Sequence, residues 1–196
     1  MTWNWLKGQF GEKPYKWPKY HWRSLEDISP HLIKAVLAGE DQRFFSHRGF
    51  DFIEMDHALR DALVSGKTRG ASTLTMQMAR SVFLWPERSF IRKLAEAYYT
   101  MLLELLWNKR RIVEVYLNTV DWGEDVVGAE AAARRYFCKT SRQLKPSEAA
   151  ALAAILPSPH RWSPTNPDPM VLKRVKRILE DMEHISLRFE IKKDRR

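Results

Sequence analysis

Apolar residues recur at helical spacing through most of this chain. Ser29-Pro30 reads as an N-cap and first helical residue, and Leu32, Ile33, Val36 and Leu37 then form one stripe ending near Glu40. Gly49 to Met55 turns the chain into a second element, in which Ala58, Leu59, Ala62 and Leu63 keep the helical period. Gly66 and Gly70 bracket a loop holding Lys67 and Arg69. A helix with a hydroxyl-rich opening turn (Ser72, Thr73, Thr75) then runs to Arg80. Pro86 begins the longest amphipathic segment, reaching about Trp107, with Leu94, Tyr98, Met101, Leu102 and Leu105 as its apolar face.

Lys109 to Asn118 follows as a helix packed through Ile112, Val113, Val115, Tyr116 and Leu117. An acidic turn, Asp121 to Asp125, precedes a Gly-Ala-rich helix from Gly128 to Phe137, whose small residues permit close approach of a neighbour. Pro146 opens an Ala-rich helix, although Lys145 stands where a capping Ser or Thr is expected. Pro157, Pro159, Pro164, Pro167 and Pro169 hold an extended connector that no helix crosses. A basic helix spans Met170 to about His184, and the tail from Lys192 to Arg196 is expected to fray. No repeat, linker or strand set interrupts the series. The expectation is one all-α domain over 24–184, with an aromatic, basic arm at 1–23 and a basic tail at 185–196.

At 196 residues the chain is large enough for one real core. Lys and Arg number 33 against 24 Asp and Glu, a net charge of +9 that favours anionic partners: nucleic acid, lipid headgroups or a phosphorylated substrate. Cys138 is the only cysteine, which excludes a disulfide framework and a cysteine metal cluster. No apolar run reaches the length of about 18 residues that spans a bilayer. The N-terminus also lacks the order of a secretion signal. The chain as given is expected to be soluble or peripheral, unless an anchor precedes Met1. The arm carries Trp3, Trp5, Trp17 and Trp22 among lysines and prolines, which suits a membrane interface or an arm laid on the domain's own surface.

The densest chemistry lies in Glu40-Asp41-Gln42-Arg43-Phe44-Phe45-Ser46-His47-Arg48-Gly49. Five ionisable groups and two phenylalanines suit a cleft wall, where apolar residues exclude water and a few polar groups act on a ligand. The plainer alternative is a helix terminus in which Glu40 pairs with Arg43. Ser72, Thr73, Thr75 and Gln77 open a helix after a glycine-flanked loop, which fits an anionic group or simple capping. Arg88, Arg92 and Glu96 are spaced four apart, with Arg80 and Lys93 near them in sequence. They form either a salt-bridged solvent face or a cationic strip for phosphate oxygens. Lys109, Arg110 and Arg111 oppose the dipole at their helix start, so a purely local role is poorly motivated.

These residues resemble the glycosyltransferase family 51 domain, the peptidoglycan polymerase module of cell-wall synthesis. Its motifs occur in order: Glu40, Asp41, Phe44, His47 and Gly49; then Gly70, Ser72, Thr73, Thr75 and Gln77; then Arg92, Lys93 and Glu96; then Lys109, Ile112, Tyr116, Leu117 and Asn118. The resemblance covers about Trp17 to Met182 and is to the monofunctional branch, without a penicillin-binding domain. Two positions depart from the pattern. Met76 replaces a glutamine, removing one potential hydrogen bond to substrate, and Val175 replaces the second arginine of a final Arg-Arg-x-x-Val-Leu pattern, leaving Arg174.

The resemblance implies a lysozyme-like, two-lobed domain with a cleft between the lobes. It implies lipid II and the growing glycan-undecaprenyl pyrophosphate as substrates, and an inverting transfer that forms β-1,4-linked strands. Glu40 is the expected base and Glu96 the second essential carboxylate, with orienting the arginines or binding a metal as alternative roles for Glu96. Asp41, Arg43, Phe44, His47, Ser72, Thr73, Thr75, Gln77, Arg80, Arg88, Arg92, Lys93, Lys109 and Asn118 are the expected substrate-binding residues. A stable pyrophosphate leaving group needs positive charge more than a proton, so cations are expected around it, with or without a divalent ion (Mg or Mn). The same cations are expected to keep Glu40 ionised. Phe44, Phe45, Phe50 and Phe52 are expected either to line the cleft nearest the lipid or to pack in the core.

Expected partners are an anionic membrane surface and other cell-wall synthesis and division proteins, not nucleic acid. The expected location is the periplasmic face of the bacterial inner membrane, although the family's usual N-terminal membrane helix is missing from this chain. Two other readings remain at this point. One is a lysozyme-like muramidase or lytic transglycosylase that degrades peptidoglycan; the other is a non-catalytic basic module binding nucleic acid or anionic membrane.

Overall fold

A computed structural model describes residues 20–66, 70–87 and 89–189. It is all-α, with eight helices among those residues: α1 Pro30–Glu40, α2 Phe52–Ser65, α3 Leu74–Phe83, α4 Phe90–Leu106, α5 Lys109–Thr119, α6 Ala129–Phe137, α7 Pro146–Ile155 and α8 Pro169–His184. The only β pairing among the described residues is an isolated bridge between Asp121 and Val127.

Capping sets most boundaries. The Ser29 hydroxyl accepts from the His31 amide with Pro30 in the first turn, so α1 begins where the sequence predicts. Ser89 caps α4 through the Arg92 amide, which starts that helix later than Pro86. Asn108 caps α5 and Asp168 caps α8 in the same way. At α7, Glu148 reaches back to the Lys145 amide (2.9 Å), supplying half of a capping box without a hydroxyl at the cap.

The interior is built around α7. Ala149, Ala150, Leu152, Ala153, Ala154 and Ile155 are all buried, so this helix is apolar on every side and lies within the protein. It packs against α1 and α8, which also pack on each other. A second group forms where α3 packs on α4 and α5. Gly128 lies at positive φ against α5, where an added Cβ would sit 2.8 Å from the Asn118 carbonyl, so the expected close approach is real.

α2 differs from these. It has no buried residue, and Phe52, Leu59, Leu63 and Val64 face outward. α4 shows a similar outward face through Phe90, Ile91, Leu94, Tyr98, Met101 and Leu105. No helix among the described residues is long and apolar enough to cross a membrane.

The termini also depart from the simple division into arm, domain and tail. Residues 1–19 of the arm and 190–196 of the tail lie outside the described residues. Arg23 is bound to the body, its backbone held at both ends by the Asn118 amide and its guanidinium by Glu130. Ile185, Leu187 and Phe189 pack on the core, with Phe189 edge-on to Phe45.

Candidate active site

A groove of about 500 Å³ is lined by the end of α1 (Gly39, Glu40), the following Asp41 to Arg43, and Asp51 and Glu54 of the α2 start. Gly70 to Thr73 and, from α8, Arg174, Arg177 and Asp181 complete it. The last turn of α1 is anchored in the core by Val36 and Leu37, which fixes Glu40 at the groove wall.

Three groups hold the Glu40 carboxylate. Arg174 Nη2 donates to Oε1 (2.8 Å) and to the Gly39 carbonyl (3.0 Å), while Gln77 Nε2 donates to Oε2 (3.0 Å). Arg80 adds a longer-range positive charge. Burial nevertheless dominates and pushes the Glu40 carboxyl above its ordinary value, against the lowering by Gln77, Arg174 and Arg80. The expected cations are present and favour the ionised form, with burial acting against them.

Asp41 lines the groove, yet both of its oxygens are engaged within the protein. Its Oδ2 accepts from the Leu74 amide (2.9 Å) and its Oδ1 lies 2.9 Å from His47 Nε2. The anion at the N-terminus of α3 is thus Asp41 itself, locking the end of α1 to the start of α3. Thr73 donates to the Gly49 carbonyl (2.6 Å) while capping Met76, and Thr75 donates to Glu104 (2.6 Å). Of the three hydroxyl residues, Ser72 and Thr73 reach the groove and Thr75 is fully buried. Met76 is buried as well.

A polar strip leads away from Glu40. Gln77 Nε2 also contacts the Ser72 carbonyl (3.5 Å), and Lys93 Nζ lies 3.5 Å from the Ser72 hydroxyl. Lys93 donates to Glu96 Oε1 (2.6 Å) and Arg92 to Glu96 Oε2 (3.0 Å). The Glu96 side chain is almost wholly buried between them. Both of its oxygens are engaged by cations, so its surroundings do not fit a divalent ion. Among the described residues no cluster of His, Cys, Asp and Glu side chains is arranged to hold a metal. Arg88 lies outside the described residues.

Several expected binding residues face inward instead. Phe44 is buried, Phe45 packs on Phe189, and Phe50 stacks near Phe52, so none of these rings lines the groove. Lys109 is spent on Glu104 (2.8 Å) and lies 4.3 Å over the Phe44 ring. Its neighbours Arg110 and Arg111 pair with Glu26 and Glu114, which gives the basic cluster the structural motive that the dipole argument denied it. Asn118 is fully buried, with its amide on the Arg23 backbone and the Glu114 carbonyl. Arg43 does line the groove and donates to Asp51 (2.9 Å).

The sequence reading left out Arg174, Arg177 and Asp181. Asp181 accepts from Gln42 (2.9 Å), so α8 closes the groove from a position more than 130 residues beyond Glu40. Arg174 was visible as the surviving arginine of the last motif, but only tertiary packing shows that it meets Glu40.

The chain matches the family described as Transglycosylase over residues 7–183 and belongs to it. Relatives bearing the name biosynthetic peptidoglycan transglycosylase include one from Rhodospirillum centenum, 51% identical over 153 residues, covering 78% of this chain and 66% of the relative. One from Bacteroides thetaiotaomicron is 46% identical over 172 residues (88% and 68%), and one from Shewanella oneidensis 44% identical over 185 residues (93% and 79%). The chain therefore spans about two thirds of the length of the first of these relatives. Their shared name is a biosynthetic one, which favours the glycan-building reading over the degradative and non-catalytic ones.

Proposed function

We propose that this chain polymerises lipid II into β-1,4-linked glycan, with Glu40 as the general base. The acceptor's sugar 4-hydroxyl loses its proton to Glu40 as it attacks the anomeric carbon of the growing chain. That attack inverts the centre from α to β and expels undecaprenyl pyrophosphate. A positioned carboxylate contributes about 10²–10⁴-fold to such a step. The observation that carries this reading is the Glu40 carboxylate on the wall of a 500 Å³ groove, held by Arg174 and Gln77.

The leaving diphosphate needs charge compensation, and Arg80, Arg92 and Lys93 supply it. Glu96 serves that group by orienting two of the cations: its bonds to Arg92 and Lys93 fix where they point. The reaction builds peptidoglycan and so takes place outside the cytoplasm, on this reading at the periplasmic face of the inner membrane. The outward apolar faces of α2 and α4 support docking to that membrane, since patches of this kind mark interaction surfaces.

The test is Glu40→Gln assayed with labelled lipid II. The expected outcome is loss of lengthening glycan with an unchanged circular dichroism spectrum. Near-normal polymer from that variant would refute the assignment.

A further inference from the structure

We propose that Tyr116 is a positioning residue for the base, its phenol fixing the Gln77 amide in the orientation that hydrogen-bonds Glu40. The inference rests on the reading of Glu40 as the base. Tyr116 lies in α5 with its ring buried in the core, and its hydroxyl donates to Gln77 Oε1 (3.0 Å). The Gln77 nitrogen then faces Glu40 Oε2 (3.0 Å) and the Ser72 carbonyl (3.5 Å). Three contacts agree on one orientation of an amide whose two ends are otherwise alike in shape.

The phenol matters because of the alternative state. A protonated Glu40 is a donor, and it pairs equally well with an inverted Gln77 that presents oxygen. An amide free to invert therefore stabilises the protonated, inactive base. Inversion next to Tyr116 sets the Gln77 nitrogen against the phenol and leaves the phenolic hydrogen buried without the acceptor it has now. Burial pushes the Tyr116 phenol well above its ordinary value, and the nearby Glu40 carboxylate adds to that, so the donor is always present. Tyr116 thus biases the pair toward ionised Glu40. The other charged groups acting on Glu40 are Arg174 from α8 and Arg80 from α3, and Asp41 acts on the Tyr116 phenol.

The experiment is a carbon-13 NMR titration of the Glu40 side-chain carboxyl in the wild-type chain and in Tyr116→Phe, with the signal assigned by its loss in Glu40→Gln. The expected result is a midpoint higher by about one pH unit in Tyr116→Phe, equivalent to a tenfold change in the ionisation ratio. The acid limb of kcat should move with it, and KM should stay within about twofold. Superimposable midpoints would overturn the proposal. Gln77→Met, which keeps the length but removes the amide, covers the case in which Tyr116→Phe does not fold: its midpoint should also rise, and an unchanged one would overturn the proposal. Adding Tyr116→Phe to Gln77→Met should move the midpoint no further, and an additional rise would mean that the phenol acts by another route. The base assignment is tested separately, because full polymerisation by Glu40→Gln would defeat it whatever the titrations show.

Discussion

Two of the protein's enclosed glutamates, Glu130 and Glu40, are shifted in opposite ways by their surroundings. Glu130, at the start of α6, accepts from Arg23 (3.0 Å), Arg134 (2.7 Å), and the amide and hydroxyl of Ser141 (2.8 and 2.9 Å). Burial raises its carboxyl, but these donors overcome that and hold it at about 2. Glu40 has fewer direct donors, and burial outweighs them, so its carboxyl moves up. A fully satisfied buried charge is a structural knot. An incompletely satisfied one is a reagent, since a base must have capacity left for the proton it removes.

Exchanging the charge for an amide at each site should separate these roles. Glu40→Gln is expected to lose about 10²–10⁴-fold in polymerisation rate while remaining folded, read by single-turnover assay with lipid II. Glu130→Gln should keep its activity per folded molecule but lose roughly 3 kcal/mol of stability at neutral pH, read by urea denaturation. If both variants lose only activity, or both lose only stability, the distinction fails.

Acid sharpens the same contrast. The depressed Glu130 carboxyl contributes stability that is complete above its unfolded value, near 4.5, and is lost as pH falls through about 2. The gap between wild type and Glu130→Gln should therefore close over that window. Glu40 must be ionised to act, so activity should rise with pH along a limb displaced above the usual glutamate value of 4.5. A limb at or below 4.5 would contradict the effect of burial. The smallest effect is expected far from both carboxylates. Leu63, 78% exposed on α2, should cost less than about 0.5 kcal/mol as Leu63→Ala, yet weaken association with anionic vesicles in a sedimentation assay.

Much of this was legible from the chain. The stripe of Leu32, Ile33, Val36 and Leu37, the Ser29-Pro30 start and the Ala-rich α7 follow from local spacing, and local spacing decides helices. Glu40, Asp41, Gly70, Ser72 and Thr73 of the motifs line the groove, but the motifs do not say which of their residues do so. Phe44, Thr75, Lys109 and Asn118 lie away from the groove lining, and every hydroxyl, amide or charge among them is taken by a partner within the protein. Arg174 failed to stand out for the opposite reason. Its neighbours in sequence are an ordinary basic helix, and its meaning comes only from α8 lying across the end of α1. In α2 the helical period of Ala58, Leu59, Ala62 and Leu63 holds but buries nothing, since periodicity reports that a face exists and not what covers it.

Asp51 carries a mechanical consequence. One of its oxygens caps α2 through the amides of Ile53 and Glu54, and the other receives Arg43 on the groove wall. Burial works against this carboxyl, but the Glu54 amide and Arg43 prevail and keep it ionised below its usual range. The least embedded helix thus starts on a carboxylate whose other oxygen holds the groove wall. Replacing Asp51 would remove at one stroke the cap of α2 and the partner of Arg43, three positions from Glu40.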